Sequence, residues 1–376
     1  MNIAIWGTGN VGKYVYENIK ENSRYQIKYF VDSNKELWDL EIEGIRVISP
    51  QQLQGLPSGE LEFVLVSFLN GISIYKMLRE MNIGVFGIIR NKVFGCKLEL
   101  DSDIRLDKNI FWSDAPYLDK PLLESLETNI VDYCNLNCRG CSHFSNLFGR
   151  GEKVPFDIFC KDLQQIVEHA YVYQFTLLGG EALLDDRVID YIKFARKLLP
   201  DSDIQLVTNG LLIPNQPSDF FACCRENDII VSVSGYRPTV ALKNKIVGIL
   251  DKEQITYIFR INKVEFGKNI DLTGNADPEK AVKRCRESRC HFLRNGKIYK
   301  CPFEALGNRL FEYYSIDISL SGGINIYDEC LEWEKMIDDL SHNAVAACRY
   351  CGIEEKITWC ATNAPVLEDW VVGREG

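Results

Sequence analysis

The sequence has no excess of basic residues, no long apolar run and no basic leader at its amino terminus. Its 43 Lys and Arg are outnumbered by 53 Asp and Glu, a formal charge of −10, so the electrostatic footprint of a nucleic-acid-binding protein is missing. The longest apolar stretches, such as Phe63 to Phe68 and Asp228 to Val233, are strand-length, far short of the ~20 residues that cross a bilayer. Met1-Asn2-Ile3-Ala4-Ile5-Trp6 runs straight into a glycine turn, without the charged region of a signal peptide. Repeats and low-complexity tracts are lacking too. These absences predict a cytoplasmic protein with neither nucleic acid nor membrane as a partner.

What is abundant is cysteine, at 14 residues. In a reducing compartment such a surplus reads as metal ligation or redox chemistry rather than disulfides. With 376 residues and 46% hydrophobic content, two or three separate cores are expected.

Residues 1–95 alternate strand and helix: strands at Asn2 to Trp6, Gln26 to Val31, Glu62 to Ser67 and Ile83 to Ile89, helices at Val11 to Glu21 and Ser73 to Met81. That pattern predicts a compact, mostly parallel α/β unit. Residues 96–125, with Pro116, Pro121 and several Asp, suit a connector. A second alternating series follows over 126–270. Its strands are expected at Asn129 to Asp132, Phe175 to Leu178, Ile204 to Thr208, Ile229 to Ser234 and Thr256 to Ile261, with helices such as Phe156 to His169 and Arg187 to Leu198. Five or six such units imply an open or partial barrel with its chemistry at the C-terminal strand ends. Residues 271–376 are shorter-ranged, cysteine-rich and α+β in character.

Gly7-Thr-Gly9-Asn10-Val11-Gly12 follows the first strand and opens a helix, and Asp32 ends the next strand. This is the context of a dinucleotide-binding loop, with glycines for the turn, a helix N-terminus for phosphates and an acid for a ribose hydroxyl. Val31-Asp32-Ser33-Asn34 followed by Gly44-Ile-Arg-Val-Ile-Ser-Pro50 is similar to the small Rossmann-like domains of glycan-pathway acyltransferases and methyltransferases. That resemblance implies a nucleotide or nucleotide-linked sugar here; a domain kept only for packing or dimerisation is the alternative.

Cys134-Asn-Leu-Asn-Cys138-Arg-Gly-Cys141 places three thiols directly after the first strand of the second series. Three closely spaced thiolates can wrap one 4Fe-4S cube and leave one iron open, whereas a structural zinc site needs four ligands. The motif resembles the radical S-adenosylmethionine (SAM) enzymes, over roughly Glu124 to Cys360. Gly179-Gly180-Glu181, Thr208-Asn209-Gly210, and Ser232 with Ser234 follow in order on successive strands. In the family these hold the amino group, ribose and carboxylate of SAM. The residue before the third cysteine, often aromatic in the family, is Gly140 here, with Tyr133 and Phe144 nearby.

Cys290 to Cys301 reads as a β-hairpin turning at Asn295-Gly296, which pairs Arg294 with Lys297, Leu293 with Ile298, Phe292 with Tyr299 and, continued outward, Cys290 with Cys301. Cys348-Arg-Tyr-Cys351 supplies a second pair. The arrangement is similar to auxiliary-cluster domains of the SPASM and twitch type, which implies a second 4Fe-4S cluster on Cys290, Cys301, Cys348 and Cys351. Cys285 competes with Cys290 for the first position, and a zinc ribbon is the alternative. Eight basic residues between Lys280 and Lys300 face one acid, Glu287, a patch suited to a cluster's charge or a substrate phosphate, or else a solvated surface run.

The resemblance as a whole implies a parallel-sheet Rossmann-like domain, a partial (β/α)6 radical SAM barrel and a small auxiliary domain. It implies oxidation or epimerisation, with flavodoxin or ferredoxin as reductant, and the glycine loop and basic run point to a nucleotide-linked or phosphorylated sugar as substrate. Cys330 or Cys360 is a candidate hydrogen-atom donor for epimerisation. Peptide modification, and a non-catalytic iron–sulfur nucleotide sensor, are the rival functions. Cys96, Cys160, Cys223 and Cys224 read as packing residues.

Overall fold

A computed structural model describes residues 1–20, 25–66, 72–81, 83, 86–89, 110–113, 120–261, 265–285 and 290–373. It divides into two compact units, Met1–Glu124 and Ser125–Gly376. Most of the stretch read as a connector, including Cys96 and Pro116, lies outside the described residues.

The first unit contains β1 (Asn2–Trp6), α1 (Asn10–Ile19), β2 (Gln26–Val31), β3 (Glu41–Ile42), β4 (Ile45–Ile48), α2 (Pro50–Gln54), β5 (Phe63–Val66), α3 (Ile72–Glu80), β6 (Phe86–Ile89) and β7 (Ile110–Ser113). They build one sheet of order β3-β4-β2-β1-β5-β6-β7. β4, β2, β1, β5 and β6 run parallel, and the two flanking pairs are antiparallel. Ile3, Ala4 and Ile5 have no exposure, which fits a central strand covered on both faces. The chain steps from β1 to β2 on one side and reaches β5 on the other, so the glycine loop after β1 stands where the strand order reverses.

The second unit begins in β8 (Leu122–Val131) and continues through α4 (Phe156–His169), β9 (Tyr171–Gly179), α5 (Val188–Leu198), β10 (Asp203–Thr208), α6 (Ser218–Glu226), β11 (Ile229–Gly235), α7 (Arg237–Ala241), α8 (Lys243–Lys252) and β12 (Tyr257–Ile261). Then come β13 (Glu265–Ile270), α9 (Pro278–Arg284), β14 (His291–Arg294), β15 (Lys297–Tyr299), α10 (Pro302–Tyr313), β16 (Ile324–Asn325), α11 (Trp333–His342) and β17 (Cys351–Thr358). The main sheet has the order β12-β11-β10-β9-β8-β14-β15-β16. β9 to β12 pair in parallel. The next parallel strand beside β8 is not another barrel unit but β14, with His291 opposite Leu126 and Phe292 opposite Glu127. The hairpin is therefore part of the main sheet.

β13 and β17 form a separate antiparallel ribbon. A core of Phe144, Leu147, Phe292, Leu310, Phe311 and Trp370 joins the cysteine loop, the hairpin, α10 and the C-terminal segment.

Candidate functional site

The loop that leaves β8 carries Cys134, Cys138 and Cys141, and the next three strand ends press against it. Gly180 N donates to Val131 O at 2.9 Å and Glu181 N to Tyr133 O at 3.1 Å. A Cβ on Gly179 would stand 2.3 Å from Val131 O, and one on Gly180 2.0 Å from Tyr133 O. Both glycines are thus required by the approach of the cysteine loop's own backbone.

Glu181 is 1% exposed. Its carboxylate accepts from Thr208 Oγ1 at 2.6 Å, Asn209 N at 2.7 Å and Leu183 N at 3.1 Å. Burial raises its pKa, opposed by those three donors. A carboxylate has about four lone-pair sites, so one direction remains for an ammonium group. Asn209 Nδ2 donates to Asn135 Oδ1 at 2.7 Å, and its carbonyl accepts from Thr239 Oγ1 at 2.6 Å. Ser232 Oγ is buried with no hydrogen-bond partner among the described residues, and Ser234 is half-buried further along β11.

Burial pushes the Cys134 thiol up to about 12, with Glu181 and Cys141 adding to it, and raises Cys138 in the same direction. Thiolates in such surroundings need a cation to balance them. Among the described residues no three His, Cys, Asp or Glu are gathered as ligands of a single metal ion. A cube differs, because each thiolate binds its own iron corner and the sulfurs lie further apart. Three mutually interacting thiols, Cys138 buried and Cys134 and Cys141 half-buried, and an orphaned hydroxyl suit a cluster with a polar ligand on its open iron.

Signals that the sequence did not announce complete the surroundings. The C-terminal segment lies across the cysteine loop: Arg139 N donates to Cys360 O, Thr362 N to Asn137 O, and Trp370 Nε1 to Cys141 O, each at 2.8 Å. Arg139 pairs with Asp369. Gly140, at φ +64°, leaves no room for a Cβ, which would meet Asp369 O and Ile357 Cδ1 at 2.7 Å. An aromatic residue at that position is excluded by this segment, while Tyr236 and Trp359 stack at 5.4 Å beside Cys138. The adjacent Trp359 and Cys360 are the one sequence signal that could have pointed to this.

The hairpin register is Phe292 with Tyr299, Leu293 with Ile298 and Arg294 with Lys297. The ladder stops there. Cys301 instead caps α10, with Pro302 at its first position, so the counted pairing of Cys290 with Cys301 is not made. The thiols that line one cavity of about 710 Å³ are Cys285, Cys301, Cys348 and Cys351, and Cys290 is not among them. The same cavity reaches Gly140, Ser142, Phe144 and Tyr236 at the first cysteine loop. Lys300 is 2% exposed and its Nζ donates to Leu340 O. Burial lowers its pKa while Cys348, Cys285 and Cys301 raise it.

The basic run is not one patch. Lys300 is buried, Arg284 holds the carbonyls of Cys351 and Gly352 at 2.6 and 3.1 Å, and Arg294 forks onto Asp132 with two 2.8 Å bonds. Arg286, Glu287 and Arg289 lie outside the described residues. The lysines facing the cavity are instead Lys268 and Lys356 on the ribbon, besides Lys300. Cys160, Cys223 and Cys224 sit in α4 and α6, the latter two buried. Cys330 is exposed.

In the first unit, Gly7 takes a left-handed φ of +113° and Gly9 caps α1, so Asn10, Val11 and Gly12 form its first turn. Asp32 Oδ2 accepts from Thr8 N at 3.0 Å and Thr8 Oγ1 at 2.6 Å, while Oδ1 accepts from Asn34 N at 2.9 Å. The acid expected to meet a ribose braces the glycine loop.

Residues 1–89 match the family described as C2185-like, N-terminal, and residues 127–248 match the 4Fe-4S single cluster domain. Curated relatives include a GTP 3′,8-cyclase of Rhodopirellula baltica, 26% identical over 98 residues, and one of Clostridium acetobutylicum, 27% identical over 101. The matched stretch is 26% of this chain and spans 27% and 30% of those proteins. Among solved structures, BtrN in complex with AdoMet and 2-DOIA matches with 14% identity and a TM-score of 0.40, covering 67% of this chain and all of that one. Native anSMEcpe with bound AdoMet matches with 17% identity and a TM-score of 0.30, over 37% of this chain and 44% of that one.

Proposed function

We propose that this radical SAM protein, whose 4Fe-4S domain takes a cluster and SAM as cofactors, oxidises or epimerises a nucleotide-linked or phosphorylated sugar. The observation that supports this most is the single cavity of about 710 Å³ running from the first cysteine loop to four further thiols. Cys134, Cys138 and Cys141 would hold the catalytic cluster. Glu181, Asn209, Ser232 and Ser234 would orient SAM; Gly179 and Gly180 act indirectly, by letting the glycine turn pack onto the cysteine loop. When bound, a reduced cluster and SAM supply a 5′-deoxyadenosyl radical able to take a hydrogen atom from carbon. Phe144, Phe266 and Tyr236 line the cavity, and a phosphate would draw Lys268 and Lys356 from their pairings with Glu355 and Glu354.

Cys285, Cys301, Cys348 and Cys351 would hold an auxiliary 4Fe-4S cluster at the far wall, with Lys300 offsetting its negative charge. Those four thiols, holding a cluster, would place an electron acceptor at the cavity wall, the chemistry that oxidation needs. Cys360, on the segment crossing the first loop, would be the thiol of the epimerising alternative. The first unit would hold a nucleotide at its glycine loop.

Anaerobically reconstituted protein, given dithionite, SAM and a panel of nucleotide sugars, should release 5′-deoxyadenosine in step with a product two mass units lighter. Incorporation of one solvent deuterium without that mass loss would establish epimerisation. Zinc in place of iron and no 5′-deoxyadenosine would sink the proposal.

A further inference from the structure

Trp359 is 4% exposed and packs with Leu136 and Cys138. Its ring stacks on Tyr236 with 25° between the planes. The indole N–H has no hydrogen-bond partner of full geometry among the described residues, although a buried Trp N–H normally finds one. An acceptor lies among its packing neighbours, the Cys138 thiol. A neutral thiol is a weak acceptor, and an iron-bound thiolate is a far stronger one. Cys138 bridges to Ala361, on the segment that carries Trp359, and Tyr236, which stacks on the ring, opens α7. The ring is therefore fixed against the cysteine loop by backbone as well as side-chain contacts.

We propose that Trp359 is a positioning residue for the catalytic cluster, donating its indole N–H to Cys138 Sγ when that sulfur is bound to iron. This rests on the reading that Cys134, Cys138 and Cys141 hold that cluster. A hydrogen bond to a ligating sulfur stabilises the reduced, more negative state and raises the potential.

The test uses the full reconstituted chain, with Trp359 replaced by 3-benzothienylalanine, which keeps the bicyclic shape and lacks the N–H, and separately by Trp359→Phe. In D2O the reduced parent should show an exchangeable deuteron coupled to the cluster in pulsed electron–nuclear double resonance. Both variants should lose that coupling at unchanged iron and sulfide content. At a fixed solution potential their ratio of reduced to oxidised cluster should fall roughly fivefold, because the bond is made in both states and only its strengthening on reduction shifts the ratio. A deuteron coupling and potential unaltered in the benzothienyl variant would overturn the proposal, and so would a change confined to Trp359→Phe, which would assign the effect to packing. A parent that takes up no iron overturns the functional reading and this inference with it, an outcome told apart by metal content alone.

Discussion

At the residue scale, the two glycines after β9 and the arginine at the hairpin tip carry more structural weight than their sequence suggests. Gly180→Ala forces a methyl group to within 2.0 Å of Tyr133 O, so the cysteine loop must move. The expected loss is about 3 kcal/mol, read as a lower midpoint in urea, together with weaker cluster retention. Arg294→Ala strands Asp132, which is 1% exposed, and should cost about 3–5 kcal/mol. Adding Asp132→Asn should recover part of it, because the cost lies mainly in the uncompensated carboxylate; no recovery in the double variant would refute that account. The cysteine triad was legible because its spacing lies within one loop. That Cys285 rather than Cys290 lines the cavity with Cys301 was not, because the hairpin ladder gives way to a helix cap at Cys301. The glycine loop was legible too, but not that Thr8 engages Asp32.

At the scale of elements, every main strand of the second series was foreshadowed by its apolar run, and α4 has the same limits in sequence and structure. β8 reaches further back than its apolar end suggested, since Leu122, Leu123 and Leu126 are buried ahead of it. The insertion of β14 beside β8 was hidden, because a parallel pairing between distant segments leaves no local trace. Asp162 of α4 secures this arrangement, accepting from Gly296 N and Tyr327 OH at 2.8 Å each. Burial raises its pKa against those donors. The folded state therefore binds its proton more tightly than the unfolded chain does. That contribution is fully present below the ordinary carboxylate pKa and is lost as pH rises through the raised one. Denaturation followed from pH 4 to 7 should show this slope flattened in Asp162→Asn, with an unchanged slope counting against it. The Asn amide also presents donors to one of two existing donors, so the variant should lose about 1 kcal/mol overall.

At the scale of the whole molecule, two units with separate cores should melt as two transitions in calorimetry. A nucleotide sugar bound at the glycine loop, at a hundred times its Kd, should stabilise the first unit by about 2.7 kcal/mol and shift only that transition. A shift confined to the second would place the ligand at the cysteine-lined cavity instead. The crossing of the C-terminal segment over the cysteine loop also has a consequence for how the protein is made. Trp359 follows Cys141 by about 220 residues, some tens of seconds of translation at ribosomal speeds of ~5–20 residues per second. Throughout that interval the nascent thiols have emerged without their roof, so delivery of iron during synthesis has a head start over closure, and oxygen has the same one.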